Sequence, residues 1–167
     1  VAAGDYHTLA LKADGFIVAR GANGSGQINV PLPNADFIGI AAGSAHSLAL
    51  KADGSIVAWG NNSAGEISVP APNADFVAVA AGSSHSVGLK ADGSTVAWGC
   101  GGHRNFGQCD VPAPNIGFIA IDAGGYHSLA LKSDGSIVVW GGQSNVPGPN
   151  TEFIAIAAAT VHSLGLK

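Results

Sequence analysis

In the stretch AAGSSHSVGLKADGSTVAWG, which runs from Ala80 to Gly99, a His, a Ser and an Asp fall within eight residues: His85, Ser86 and Asp92. The same three types build the nucleophilic relay of hydrolases, in which a carboxylate orients an imidazole that takes the serine proton. Such a relay needs one assembled site with the base in reach of the nucleophile. Adjacent residues on a strand point to opposite faces, so His85 and Ser86 are badly placed for it. The set is also copied along the chain, with histidines His7, His46, His85, His127 and His162 spaced 39, 39, 42 and 35 residues apart. A group copied in every repeat is expected to build the repeat. The reading is a buried core histidine, hydrogen-bonded to backbone between repeats, with no catalytic role.

The elements that must position these histidines follow from the repeat itself. The phrase recurs as AAGDYHTLALKADGFIVARG, AAGSAHSLALKADGSIVAWG, AAGSSHSVGLKADGSTVAWG and DAGGYHSLALKSDGSIVVWG, with a shortened AAATVHSLGLK at the end. Between copies lies a second shared segment, such as GQINVPLPNADFIGI, and all eight prolines sit in its V-P-x-P-N element. Each repeat reads as short strands between turn signals: FIAI, HSLAL, SIVAW and a shorter fourth, QINV. The Asp-Gly pairs at 14–15, 53–54, 92–93 and 134–135 suit tight hairpins, because Gly takes positive φ without a Cβ clash. Pro cannot donate to a ladder, so the fourth strand is expected at the outer edge. Four-stranded antiparallel units of about 40 residues are propeller blades. The expected fold is therefore all-β, a single β-propeller domain over 1–167. Its repeats fall at about 1–39, 40–78, 79–120 and 121–155, with a partial copy at 156–167.

Bulk properties exclude several classes. With 47% hydrophobic and 11% charged residues, the chain has the composition of a packed domain rather than a disordered one. A net charge of −4, with every lysine following a Leu in the repeated phrase, leaves no basic patch for nucleic acid. No apolar run approaches the roughly 18 residues of a spanning helix, so membrane insertion is not expected. The chain has no Met, so Val1 is not expected to be a translation start. The two ends do not add up to one blade. The expectation is a larger propeller or an open arc, whose bare faces are covered by further chain or by another subunit.

Written out, G-x-x-H-S-L-A-L-K, D-G-S-I-V-A-W-G and N-x-x-G-Q resemble the regulator of chromosome condensation repeat, over essentially the whole chain. The resemblance implies a β-propeller, usually seven-bladed. The compact repeat is most similar to the short-repeat bacterial branch that includes a secreted β-lactamase-inhibitor propeller. It is less similar to the eukaryotic nucleotide-exchange factor, whose family-specific loops have no counterpart here. A propeller fold does not itself name a function.

Departures from the repeat are where function is expected, on the face that carries the loops before the histidines and after the Trp-Gly position. Candidate binding residues there are Asp5, Tyr6, Arg20 (in place of the Trp of the other complete repeats), Asn61, Asn62 and Tyr126. The segment CGGHRNFGQC, three residues longer than its counterparts, adds His103, Arg104, Asn105 and Phe106. An aromatic and an Arg together are typical of interface hot spots. Cys100 and Cys109 flank this loop and are candidates for a disulfide in a secreted protein, a tolerated insertion being the plain alternative. Zinc on Cys100, His103 and Cys109 would have only three ligands, so no metal is expected, and no cofactor. The function read from the sequence is a non-catalytic protein-interaction module, extracellular or at the cell surface, whose partner is a protein. The alternatives are a lectin-like propeller and, behind it, a lyase or an exchange factor.

Overall fold

The computed structural model describes residues 1–102, 105–142 and 145–167. All regular elements among them are strands in antiparallel sheets, with no α-helix. The first sheet holds β1 (Ala2–Ala3), β2 (His7–Leu11) and β3 (Ile17–Gly21). The second holds β4 (Phe37–Ala42), β5 (His46–Lys51) and β6 (Ile56–Gly60), and the third β7 (Phe76–Ala81), β8 (Ser86–Lys90) and β9 (Thr95–Trp98). The fourth holds β10 (Phe118–Ala123), β11 (Ser128–Lys132) and β12 (Ile137–Trp140). The last pairs β13 (Ala155–Ala158) with β14 (Ser163–Leu166). Strand order follows the chain within each sheet, and each sheet packs on the next. The first strands and the loops after them share one axial space, lined by Gly4, Gly43, Gly82, Gly124 and Ala159. These are propeller blades around an axis.

Side-chain alternation makes the packing. In β5, His46, Leu48 and Leu50 face the third sheet, where Leu48 and Leu50 meet Phe76 and Trp98. Ala49 faces back toward Leu9 and Ile17 of the first sheet, beside Trp59. The pattern repeats with Val87 and Leu89 against Phe118 and Trp140. Large groups on one face thus fill the space left by small ones on the next. Fully burying a Leu in this way contributes about 1.5–3 kcal/mol.

The fourth strand expected in each blade is not formed; the described sheets have at most three. The segment after the Trp position runs as consecutive turns instead, with Gly26 N–H on the Asn23 carbonyl, Asn29 N–H on Gly26 and Val30 N–H on Ile28. The outward ladder groups of the third strand's first residue find another partner. In every V-P-x-P-N element the Asn side chain acts as a detached peptide group. Asn73 accepts from Ile56 N–H at 2.8 Å through Oδ1 and donates to the Ile56 carbonyl at 2.8 Å through Nδ2. Asn34, Asn115 and Asn150 do the same for Ile17, Thr95 and Ile137. One amide therefore satisfies the outward groups of the strand's first residue, where the prolines have no N–H to donate.

The Asp-Gly hairpins are three-residue loops. Gly54 N–H bonds the Lys51 carbonyl, Lys51 N–H bonds Ser55, and Gly54 takes φ 80°. Gly supplies the left-handed residue that closes this turn. At the same end of the blades, Lys51, Lys90, Lys132 and Lys167 lie over the rings of Phe37, Phe76, Phe118 and Phe153, at 4.4–5.7 Å from the centroid. The lysine that follows Leu in the phrase is thereby used within its own blade.

The first and last sheets each leave one face uncovered. Thr8 and Arg20, which stand where Ser47 and Trp59 stand one repeat later, are exposed. At the other end Leu164 and Leu166, equivalent to the buried Leu48 and Leu50, are 65% and 59% exposed.

Candidate functional site

The repeated histidines form joints between blades. His46 Nε2 lies 3.1 Å from Ser86 Oγ, His85 Nε2 3.0 Å from Ser128 Oγ, His7 Nε2 2.9 Å from Ser47 Oγ and His127 Nε2 2.8 Å from Ser163 Oγ. Each pair crosses from one repeat to the next, so the expected direct bond from histidine to backbone is replaced by one through a serine hydroxyl. That hydroxyl in turn donates to a main-chain carbonyl of the preceding repeat: Ser47 to Gln27, Ser86 to Glu66 and Ser128 to Gln108, at 2.8–3.0 Å. The same carbonyl accepts the indole N–H of Trp59, Trp98 or Trp140 at 2.9 Å.

This geometry fixes the proton positions. The one serine proton is committed to a carbonyl, so the hydroxyl receives its second bond from histidine, and Nε2 carries the hydrogen. Nδ1 is then a bare acceptor; in His7, His46 and His85 it is buried with no partner. A catalytic imidazole would have the opposite arrangement, taking the serine proton, with a carboxylate on its other nitrogen. Asp92 is elsewhere, accepting from Ser94 N–H and Oγ within its turn. The relay suggested by His85, Ser86 and Asp92 is not assembled. Burial, together with the neighbouring rings, lowers His46 and His85 to about 4, and burial also lowers His7 and His127.

The glycine of each A-A-G belongs to the same joint. A Cβ on Gly43, Gly82 or Gly124 would overlap the ring of its own histidine and a main-chain carbonyl of the next repeat. Asp122, which replaces an Ala of other repeats, has an internal task as well. Its Oδ1 accepts from Ala123 N–H and its Oδ2 from Ala158 N–H at 2.7 Å, tying the fourth sheet to the last. Burial raises its carboxyl pKa, against the pull of those two bonds.

The candidate binding residues separate into groups. Phe106 and Tyr126 come together at 5.1 Å between centroids, edge to face at 64°, although they belong to different repeats. Phe106 stands where Ser25 and Ala64 stand in earlier repeats, and Tyr126 where Tyr6, Ala45 and Ser84 stand. Cys100 and Cys109 form a disulfide across the base of this loop, with Cα atoms 6.0 Å apart. Three more bonds hold it: Gly142 N–H to the Phe106 carbonyl, Phe106 N–H to Gln108 Oε1, and Gly107 N–H to Asn105 Oδ1. His103 and Arg104 lie outside the described residues.

The other candidates do not join this pair. Tyr6 is 71% exposed in the first repeat. Asp5, beside it, accepts from Ser44 Oγ at 2.6 Å at the mouth of the axial space. Arg20 lies in β3, on the uncovered face of the first sheet. Asn61 and Asn62 are occupied in shaping their own loop: Asn61 Nδ2 donates to Glu66 Oε1, and Asn62 Oδ1 accepts from Ile67 N–H. Sequence reasoning missed the V-P-x-P-N asparagines and the Gln27, Glu66 and Gln108 carbonyls. The invariance of Asn in that element was the available signal for the first. Nothing in a residue's type marks the use of its carbonyl.

Blades of this kind, joined by His–Ser–carbonyl bonds about one axis, define a β-propeller. The model of the Regulator of chromosome condensation (RCC1) repeat matches residues 1–27, 37–66, 76–108 and 118–145, and the chain belongs to that family. No curated protein matches. Among solved structures, the ectodomain of the Physcomitrella patens receptor kinase CR4 is similar at 28% identity and a TM-score of 0.78. That match covers 99% of this chain and 46% of that one. The CRINKLY WD40 ectodomain of the Arabidopsis thaliana receptor kinase ACR4 shares 24% identity at a TM-score of 0.74, covering 98% of this chain and 58% of that one. Prp20p of Saccharomyces cerevisiae, described with its binding to Gsp1p and histones, shares 20% identity at a TM-score of 0.78, covering 97% and 54%. The chain thus spans about half the length of each. The last two likenesses concern the fold alone.

Proposed function

We propose that this chain is a non-catalytic protein-interaction module, a binding or inhibitory scaffold acting outside the cell or at its surface. One observation carries the reading. The structure brings Phe106 and Tyr126, from two different repeats, into contact on the loop face and pins the Phe106 loop with a disulfide. Rigid aromatic anchors supply contact area at small entropic cost, and they dominate interface energetics. A structural disulfide suits an oxidising compartment, and the similar CR4 structure is a receptor-kinase ectodomain. Prp20p, with its protein partners, shows the fold engaged in protein binding in another chain. The buried histidines are used up in holding blades together, which supports a role without catalysis.

The test is a protein microarray and a glycan array probed in parallel with three proteins: the wild type, an F106A/Y126A double variant and an Asp53→Ala control at the opposite end of the blades. Protein signals that fall about tenfold in the double variant and persist in the control are expected, corresponding to about 1.4 kcal/mol. Glycan signals that disappear in the double variant instead would make the chain a lectin. Protein signals lost only in the control would place the site on the other face.

A further inference from the structure

The hairpin end of the blades, opposite the loop face, exposes the same kind of side chain in repeat after repeat. Ile38, Val77, Ile119 and Ile154 each follow the Phe of their own repeat, and all are 52–69% exposed. Strand register explains the exposure. Phe37 pairs with Lys51, at the Asp-Gly hairpin, and Gly39 with Leu50, so Ile38 is an extra residue. Val77 and Ile119 are extra in the same way. In a regular strand Ile38 would point away from Phe37, into the third sheet. The bulge turns it out instead. Two residues on, Ile40, Val79 and Ile121 line the axial space. The bulged residues therefore stand at its hairpin-end rim, on first strands that neighbour one another. A single exposed aliphatic is ordinary. Four at equivalent positions on neighbouring strands make an apolar collar, and such patches mark interaction sites.

We infer that this collar docks a segment of a protein partner in which aliphatic side chains are flanked by lysines or arginines. Charge selects this occupant. Asp36, Asp75 and Glu152 stand two residues before collar residues, are exposed, and enter no ion pair among the described residues. The neighbouring lysines are turned to their own blades. Lys51 and Lys90 lie on Phe37 and Phe76, and Lys90 Nζ also donates to the Ala74 carbonyl at 2.7 Å. The collar is thus an apolar centre with unpaired carboxylates beside it. A basic, aliphatic segment covers the first and pairs the second. A second copy of this face would set carboxylates against carboxylates, and an anionic lipid surface would meet like charge. This surface lies at the other end of the blades from Phe106 and is tested independently of it.

The test is NMR on the intact chain, following the methyl signals of Ile38, Val77 and Ile119. The probes are the peptide acetyl-Gly-Lys-Ile-Leu-Lys-Gly-amide, its version with Glu in place of both Lys, and phosphatidylcholine vesicles containing phosphatidylglycerol. The lysine peptide is expected to shift the methyls saturably at millimolar concentration or below, and to leave the Phe106 and Tyr126 rings in place. The glutamate peptide should bind about tenfold more weakly, since exposed charge pairs each contribute a few-fold. The D36N/D75N/E152Q variant should weaken the lysine peptide by a similar factor. The I38S/V77S/I119S variant should abolish its binding while the His46 and His85 ring signals, which report the blade joints, stay unchanged. Equal binding of both peptides, or no shift with either, overturns the inference. So do methyl shifts that follow protein concentration alone, which would make the occupant a second copy. Methyl broadening with the vesicles alone would make it a lipid surface and overturn the inference too. None of these outcomes touches the loop-face reading, which the F106A/Y126A microarray decides.

Discussion

Acid should loosen this protein through its blade joints before its surface carboxylates matter. His46 and His85 are lowered from 6.5 to about 4, with burial the largest cause for both. The folded state therefore binds fewer protons than the unfolded chain between those values, and stability falls as pH falls through that window. It is complete above about pH 6.5, and each ring removes about 3 kcal/mol by pH 4. Two rings together remove on the order of 6 kcal/mol, a large part of the roughly 5–15 kcal/mol that domains possess. His7 and His127 act in the same direction. Asp122 acts in the opposite one: its carboxyl is raised, so it contributes more when protonated and loses that contribution as pH rises. Asp53, Asp92 and Asp134 are lowered chiefly by their turn serines, and Asp14 by the Phe16 N–H. Their share is lost only below the ordinary carboxylate range. Urea unfolding at intervals from pH 7.5 to 4.5 measures the slope, and ¹⁵N spectra of the imidazoles read the tautomer. Constant stability down to pH 4.5 would refute the reasoning. So would a His46 or His85 ring that titrates near 6.5, or one that carries its proton on Nδ1.

Trp98→Phe keeps most of the packing but removes the N–H bond to the Glu66 carbonyl, so it should cost about 1 kcal/mol in a urea titration. Asn73→Leu leaves Ile56 N–H and C=O without their amide partner and should cost about 1–3 kcal/mol, with faster exchange of the Ile56 amide hydrogen. The C100S/C109S double variant should lose about 2–3 kcal/mol, and the Phe106 ring should lose its contact shift from Tyr126.

The blades were legible because strand, turn and repeat signals agree in every copy: alternation in HSLAL, Asp-Gly at each hairpin, and a fixed phrase length. The fourth strand was misread because QINV has strand-like residues but its backbone groups are needed elsewhere. Gln27 turns its carbonyl to the serine and tryptophan of the next blade, and the Asn of V-P-x-P-N supplies the edge bonds of the third strand's first residue. The histidines were legible as core, whereas their serine partners were not, since those lie 36 to 43 residues away. Phe106 and Tyr126 were each visible as departures. Their meeting depends on how the third and fourth repeats pack, which spacing alone does not give.

Each blade joint grips its neighbour by a main-chain oxygen, and this has a consequence for how the protein can change. The tryptophan stands 32 residues after the carbonyl it binds in all three complete joints, although the loop just before Gln108 is three residues longer than its counterparts. The side chain at the gripped position is free to be Gln or Glu, and the loop preceding it is free to grow, because neither is what the next blade recognises. Mutation can therefore rewrite the loop face one repeat at a time, and the cost of each trial stays local. A joint built on a backbone oxygen lets a loop change in one repeat without altering the atom that the neighbouring blade holds.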